Sequence, residues 1–184
     1  MNIIYIAAAV VFLLALFCAY VASQSSEFKV ERSATIDAPP LVVFPHVNDL
    51  HQWQEWSPWA KMDPNARTTY DGPVAGVGAA FGWAGGKKIG QGRMTITDSR
   101  PGESLQIRLE FEKPMKATNI ARFTFQPVGD KTTVTWSMTG TYNFMGKLFN
   151  VIINCDGMCA KQFDQGLAAM KSIVEKRQEV ASAR

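Results

Sequence analysis

Residues 104–138 read SLQIRLEFEKPMKATNIARFTFQPVGDKTTVTWSM, and their period decides the fold. Leu105, Ile107, Leu109 and Phe111 alternate with Gln106, Arg108, Glu110 and Glu112. Ala121, Phe123 and Phe125 repeat the pattern before a Val128-Gly129-Asp130 turn, and Val134, Trp136 and Met138 then alternate with Thr133, Thr135 and Ser137. Successive side chains of a strand point to opposite faces, so each run has one apolar and one wet face. That is the signature of an antiparallel sheet covered on one side.

Working outward, the same period continues upstream. Met94 and Ile96 share a face within Gly92–Thr97, and Arg100-Pro101-Gly102 turns the chain. Ala79, Phe81 and Trp83 alternate, and Thr68–Tyr70 leads into an Asp71-Gly72-Pro73 turn. Phe28–Ile36 is a first strand. Asp37-Ala38-Pro39-Pro40 stops it and opens a helix, because proline is tolerated in a first helical turn. Two short helices are expected before Pro58 and Pro64 end regularity. Downstream the period becomes three to four: Leu148, Ile152, Cys155, Cys159, Phe163, Leu167, Met170 and Val174. This predicts one long amphipathic helix, with Gly157 as the place for a bend. The expected architecture is α+β: a curved antiparallel sheet of about seven strands around a long C-terminal helix. One helix cannot fully cover a curved sheet, which invites an apolar cavity between them.

The chain has 184 residues, and none of the first 26 carries a charged side chain. Residues 1–26 are therefore read as an anchor with a short linker, and residues 27–184 as one domain. Ile3 to Ala22 reads IIYIAAAVVFLLALFCAYVA. A helix of that length rises about 30 Å, enough to cross a hydrocarbon core. The alternative is a cleaved signal peptide, but no Lys or Arg precedes the run and it is longer than a usual signal core. Glu27 and Glu31 interleave with Lys29 and Arg32 after the span, so the charges do not fix its orientation. Ser23-Gln24-Ser25-Ser26 is too short a linker to let the domain leave the bilayer surface.

A net charge of +3 argues against a nucleic-acid partner. Cys18 lies in the apolar segment, and Cys155 and Cys159 are four apart on a helix, where a disulfide would be strained. They read as small buried hydrophobes. No metal site and no cofactor motif is expected. Ala84-Gly85-Gly86-Lys87-Lys88-Ile89-Gly90-Gln91-Gly92 lacks phosphate-loop spacing. It reads as a basic hairpin loop that would touch acidic headgroups if it faced a membrane.

The element order and several motifs resemble the START-like (SRPBCC) superfamily, in its polyketide cyclase/dehydrase-type branch. The residues carrying the resemblance are Trp53-Gln54-Glu55-Trp56-Ser57-Pro58-Trp59, Asp63-Pro64, Gly76-Val77-Gly78, Phe81-Gly82-Trp83 and Gly90-Gln91-Gly92. Phe163-Asp164-Gln165-Gly166-Leu167 followed by Met170-Lys171 closes the pattern, so the likeness spans about residues 28–176. It implies a helix-grip fold with a cavity for lipids, sterols, polyketides or other apolar molecules. A fold match is not a function match.

Candidate ligand contacts follow from parity. Phe81, Trp83, Met94, Ile96, Leu109 and Phe111 share the inward face, as do Phe123, Trp136, Met138 and Phe163; they line either a cavity or a solid core. Trp53, Trp56 and Trp59 form a ridge on helical spacing. The ridge either plugs one end of the sheet or touches ligand or lipid. Arg32 and Asn119 break the inward parity. A buried arginine there would await an anionic ligand group, and a rim position would leave it in water. His46, His51, Asp49 and Glu55 lie close in sequence, but no nucleophile or paired carboxylates accompany them. Three functions fit these features: a membrane-tethered binding or carrier domain for a hydrophobic small molecule, a cyclase/dehydrase-like enzyme, and a structural or interaction module with a closed core.

Overall fold

The computed structural model describes residues 2–182. Helix α1 (Asn2–Ser23) precedes strand β1 (Glu27–Ile36). Three short helices follow, α2 (Pro40–Val43), α3 (Pro45–Asn48) and α4 (Leu50–Trp56), then a 3-10 turn at Trp59–Lys61. The strands β2 (Arg67–Asp71), β3 (Ala80–Ala84), β4 (Gln91–Arg100), β5 (Ser104–Lys113), β6 (Ala117–Val128) and β7 (Lys131–Thr141) form the meander. Helices α5 (Phe144–Ile153) and α6 (Cys155–Ser182) end the chain. One seven-stranded sheet has the order β1-β7-β6-β5-β4-β3-β2. Every pairing is antiparallel.

The segment between β1 and the meander is divided by its prolines and by Asp49. Pro40 and Pro45 each sit at the start of a short helix, where a missing N–H is harmless. The Asp49 carboxylate accepts from the His51 backbone N–H at 2.8 Å and caps α4. The result is three short helices where two were expected.

The long helix expected from Leu148 to Val174 is interrupted. Asn154 adopts the left-handed conformation (φ 52°, ψ 59°) and ends α5. Asparagine visits that region more readily than most residues. The break therefore falls three residues before Gly157. It also re-aims the face: Ile152, in phase with the buried residues of α6, is 62% exposed.

Helix α6 lies along β1 and over the inner face of the sheet. Arg32 meets Asp164 at 3.2 Å. Lys171 Nζ donates to the Thr35 carbonyl at 2.7 Å, and the Glu175 carboxylate accepts from the Asp37 backbone N–H at 2.8 Å. Gly166 lets the helix approach closely, since a Cβ there would stand 3.0 Å from the Trp136 ring and 3.3 Å from Trp56. At one end of the sheet the interior is solid. Ile36, Val43, Leu105, Phe125, Val134, Met170 and Val174 are all buried there, and Phe44 meets Phe125 edge to face at 5.3 Å.

Candidate functional site

The centre of the molecule is aromatic. Trp136 stacks on Phe163 at 3.9 Å and 7°, and on Phe123 at 4.9 Å and 27°. Trp53, Trp56 and Trp59 all meet Trp136 edge to face, at 81°, 82° and 80°. The tryptophan ridge therefore wraps a strand residue instead of facing outward. Edge-to-face pairs suit the ring quadrupole. Trp56 Nε1 donates to the His46 carbonyl at 2.8 Å, which fixes α4 on α3.

Beyond this aromatic floor the interior opens into a cavity of about 850 Å³. Phe81 and Trp83 of β3, Met94 of β4, Leu109 and Phe111 of β5 and Met138 of β7 contribute to its wall. Trp53, Trp59 and Phe163 border it on the helix side, with Trp136 of β7 at its floor. A volume of that size is within the range that holds a drug-sized molecule. Gly92 makes room for the wall: a Cβ there would lie 2.6 Å from the Trp83 ring. Trp83 in turn donates to the Ile89 carbonyl at 3.1 Å and ties down the β3–β4 loop. The Asp63 carboxylate accepts from the Gly86 N–H at 2.7 Å and holds the same loop from the other side.

Five of the expected contacts do not border the cavity. Trp56, Ile96 and Phe123 point inward but are enclosed by protein, being about 1% exposed or less. Parity gives the face of the sheet, not the position along it. Asn119 is buried, and its amide reaches Met138 Sδ at 3.8 Å. Arg32 faces the same side as Trp136 but stands on the edge strand, where it pairs with Asp164 in water. His46 is buried behind the floor, and His51 stacks on Tyr70 at 3.9 Å on the surface; neither reaches the cavity.

Sequence reasoning missed the mouth and one wall. Lys87, Lys88, Lys113, Pro114 and Met158 border the cavity and are exposed. No local signal joins two lysines of one loop to a lysine of another hairpin. Met158 is out of phase with the buried positions of α6. Cys159, read as a plain hydrophobe, also lines the cavity. Burial first, then the neighbouring Asp156 carboxylate, pushes its thiol up to about 12, so it is protonated at neutral pH. Trp136 Nε1 and Gln162 Oε1 have no hydrogen-bond partner, and neither atom is exposed to the open space. Among the described residues no group of three or more His, Cys, Asp or Glu could hold a metal ion.

A curved antiparallel sheet gripping a helix around an apolar cavity defines the helix-grip, START-like class. A family model described as polyketide cyclase / dehydrase and lipid transport matches residues 27–175, and the chain belongs to that family. Solved structures share the fold at low identity. Protein MLL2253 from Mesorhizobium loti is 13% identical, with 81% of this chain and 98% of that one covered and a TM-score of 0.60. Protein CV1439 from Chromobacterium violaceum is 16% identical over 80% of this chain and 97% of that one, with a TM-score of 0.58. DynU16, a protein of the dynemicin biosynthetic locus, is 13% identical over 80% of this chain and 47% of that one, with a TM-score of 0.57. No curated protein matches the chain. Ile3–Ser23 of α1 is long and apolar enough to cross a membrane, and its large apolar side chains before Val21 are exposed, which fits an anchor or a signal sequence.

Proposed function

We propose that the chain is a membrane-tethered binding or carrier domain that holds a hydrophobic small molecule, of lipid, quinone or polyketide type, in its internal cavity. The observation that carries this reading is the 850 Å³ cavity itself, with aromatic, methionine and leucine side chains in its wall. Methionine and aromatic walls adapt to ligands of varied shape. The tether keeps the domain at the surface where such ligands are concentrated.

A cyclase-like reaction would need an acid or base in the wall. The titratable groups bordering the cavity are Asp63, Cys159 and the lysines of the mouth. Asp63 is engaged with Gly86, and Cys159 is a protonated thiol, which favours binding over chemistry. The test is native mass spectrometry of residues 27–184 after mild purification, combined with uptake of a fluorescent fatty acid. A co-purified apolar ligand, displaced by the probe, is expected. A chain that emerges empty and takes up no apolar probe would sink the carrier reading.

A further inference from the structure

The antiparallel order brings several features to one rim of the sheet. β1 starts there and β7 ends there; the β3–β4 loop and the β5–β6 turn lie on the same rim. The β3–β4 loop touches the β5–β6 turn, since a Cβ on Gly90 would strike the Lys113 carbonyl. α1 reaches the domain at this rim through residues 24–26. The mouth of the cavity, at Lys87, Lys88, Lys113 and Met158, opens there too.

Helix α5 also leaves from this rim, and its outer face is bare. Met145, Phe149, Ile152 and Ile153 are 45%, 40%, 62% and 51% exposed. Their spacing of four, seven and eight residues places them on one stripe. The inner face is firmly held. The Asn143 side chain accepts from the Gly146 N–H at 2.8 Å, Asn150 donates to Asp156 at 2.9 Å, and Tyr142 donates to Asp156 at 2.7 Å. So the stripe is not a frayed end; it is a fixed apolar surface without a partner. It is continuous with α1. Val21 is fully buried while the large apolar side chains before it are exposed, and Lys147 Nζ donates to the Ala22 carbonyl at 3.1 Å.

Charge divides the molecule along the same axis. Lys87, Lys88, Lys113, Lys116 and Lys147 stand on the α1 rim, opposed by Glu27, Asp63 and Glu112. The opposite rim carries Asp37, Asp71, Glu103 and Asp130 with Arg100 and Lys131, and the end of α6 beside it adds Lys171, Lys176 and Arg177 with Glu175 and Glu179. Basic groups next to an apolar stripe suit an anionic bilayer, whose surface attracts cations while its acyl boundary takes apolar side chains.

We infer that α5 is an interfacial helix: its Met145, Phe149, Ile152 and Ile153 stripe lies in the headgroup boundary of an anionic bilayer, the lysines of the two neighbouring hairpins sit on phosphates, and the cavity mouth is held against the lipid. This rests on α1 being a retained anchor. It gives the carrier reading a route, because an apolar ligand enters from the bilayer without crossing water. The tryptophans of α4 take no part in this surface, since Trp53 and Trp56 are buried.

The test uses the full chain in proteoliposomes with and without phosphatidylglycerol. The three cysteines are replaced by alanine, and a nitroxide is attached through Ile152→Cys or, on the opposite rim, Val128→Cys. The expected result is a label at 152 that collides with oxygen several-fold more, relative to a water-soluble nickel chelate, than the label at 128. Neutralising Lys87 and Lys88 with Lys87→Gln and Lys88→Gln should reduce the ratio of docked to undocked helix about fivefold per lysine in anionic vesicles alone. A label at 152 as wet as that at 128 overturns the inference. So does one shielded from both reagents with dipolar coupling to a second chain, which would make the stripe a dimer contact. Alkaline carbonate extraction of the same vesicles tests α1 separately. If the chain resists extraction while residue 152 is wet, the anchor stands and the interfacial helix falls. If the chain is released, α1 is no retained anchor, and the tethered reading falls together with the inference that rests on it.

Discussion

Leu109→Trp separates an open cavity from a packed core. Leu109 is half-buried and borders the cavity, whereas Leu167 of α6 is 1% exposed and does not. Forcing extra atoms into a packed core costs about 1–3 kcal/mol through off-rotamer side chains and backbone shifts. In a protein of this size that lowers Tm by roughly 2–4 °C per kcal/mol. Leu167→Trp should suffer that loss, because Leu167 has no free space beside it. Leu109→Trp should not, since its indole enters 850 Å³ of open volume. The same indole removes ligand contact. Displacing roughly 50 Å² of apolar contact at ~25 cal/mol/Å² weakens binding by about 1.3 kcal/mol, close to tenfold. The assay is thermal unfolding of both variants by circular dichroism, alongside titration with a fluorescent fatty acid. Equal Tm losses for the two variants would refute the reasoning, because the cavity would then be closed in solution.

Further outcomes are expected elsewhere. Burial first, then Arg177, holds the His46 pKa below 6.5, with Glu55 acting the other way. The unfolded chain takes up a proton near 6.5 and the folded chain only at lower pH, so stability is full above 6.5 and falls as pH drops toward the folded pKa. Thermal unfolding across that range should show the slope in the wild type and a flatter profile in His46→Gln; an unchanged slope would discard the role. Arg32→Ala removes an ion pair whose members are 45% and 58% exposed, so it should change stability by about 0–1 kcal/mol and leave probe uptake unaltered. A large loss of uptake would return Arg32 to the ligand site. Cys159 should alkylate slowly at neutral pH and more slowly still with an apolar ligand bound, as mass spectrometry of the modified peptide can show.

Much of the fold was legible because its periods are local. Leu105 to Phe111 and Val134 to Met138 announce their strands through alternation alone, since every second side chain must be buried. Arg32 shows the limit of that reading. Its parity is inward, as expected, yet an edge strand leaves an inward side chain within reach of water and of Asp164. Asn154 shows another: apolar spacing runs unbroken from Leu148 to Val174, while a single left-handed residue splits the helix and turns Ile152 outward. Period reports which face is apolar, not whether the backbone continues.

The sequence by itself determined the uncharged N-terminal segment, the seven strands, the amphipathic C-terminal region and the aromatic block at residues 53–59. These are properties of neighbours in the chain, set by periodicity and turn chemistry. Only the tertiary structure decided that the inner face is solid at one end and hollow at the other. It also brought Lys87, Lys88, Lys113 and Met158 together around one mouth and laid α5 against α1. Those juxtapositions come from strand order and sheet curvature, and no window along the chain contains both partners.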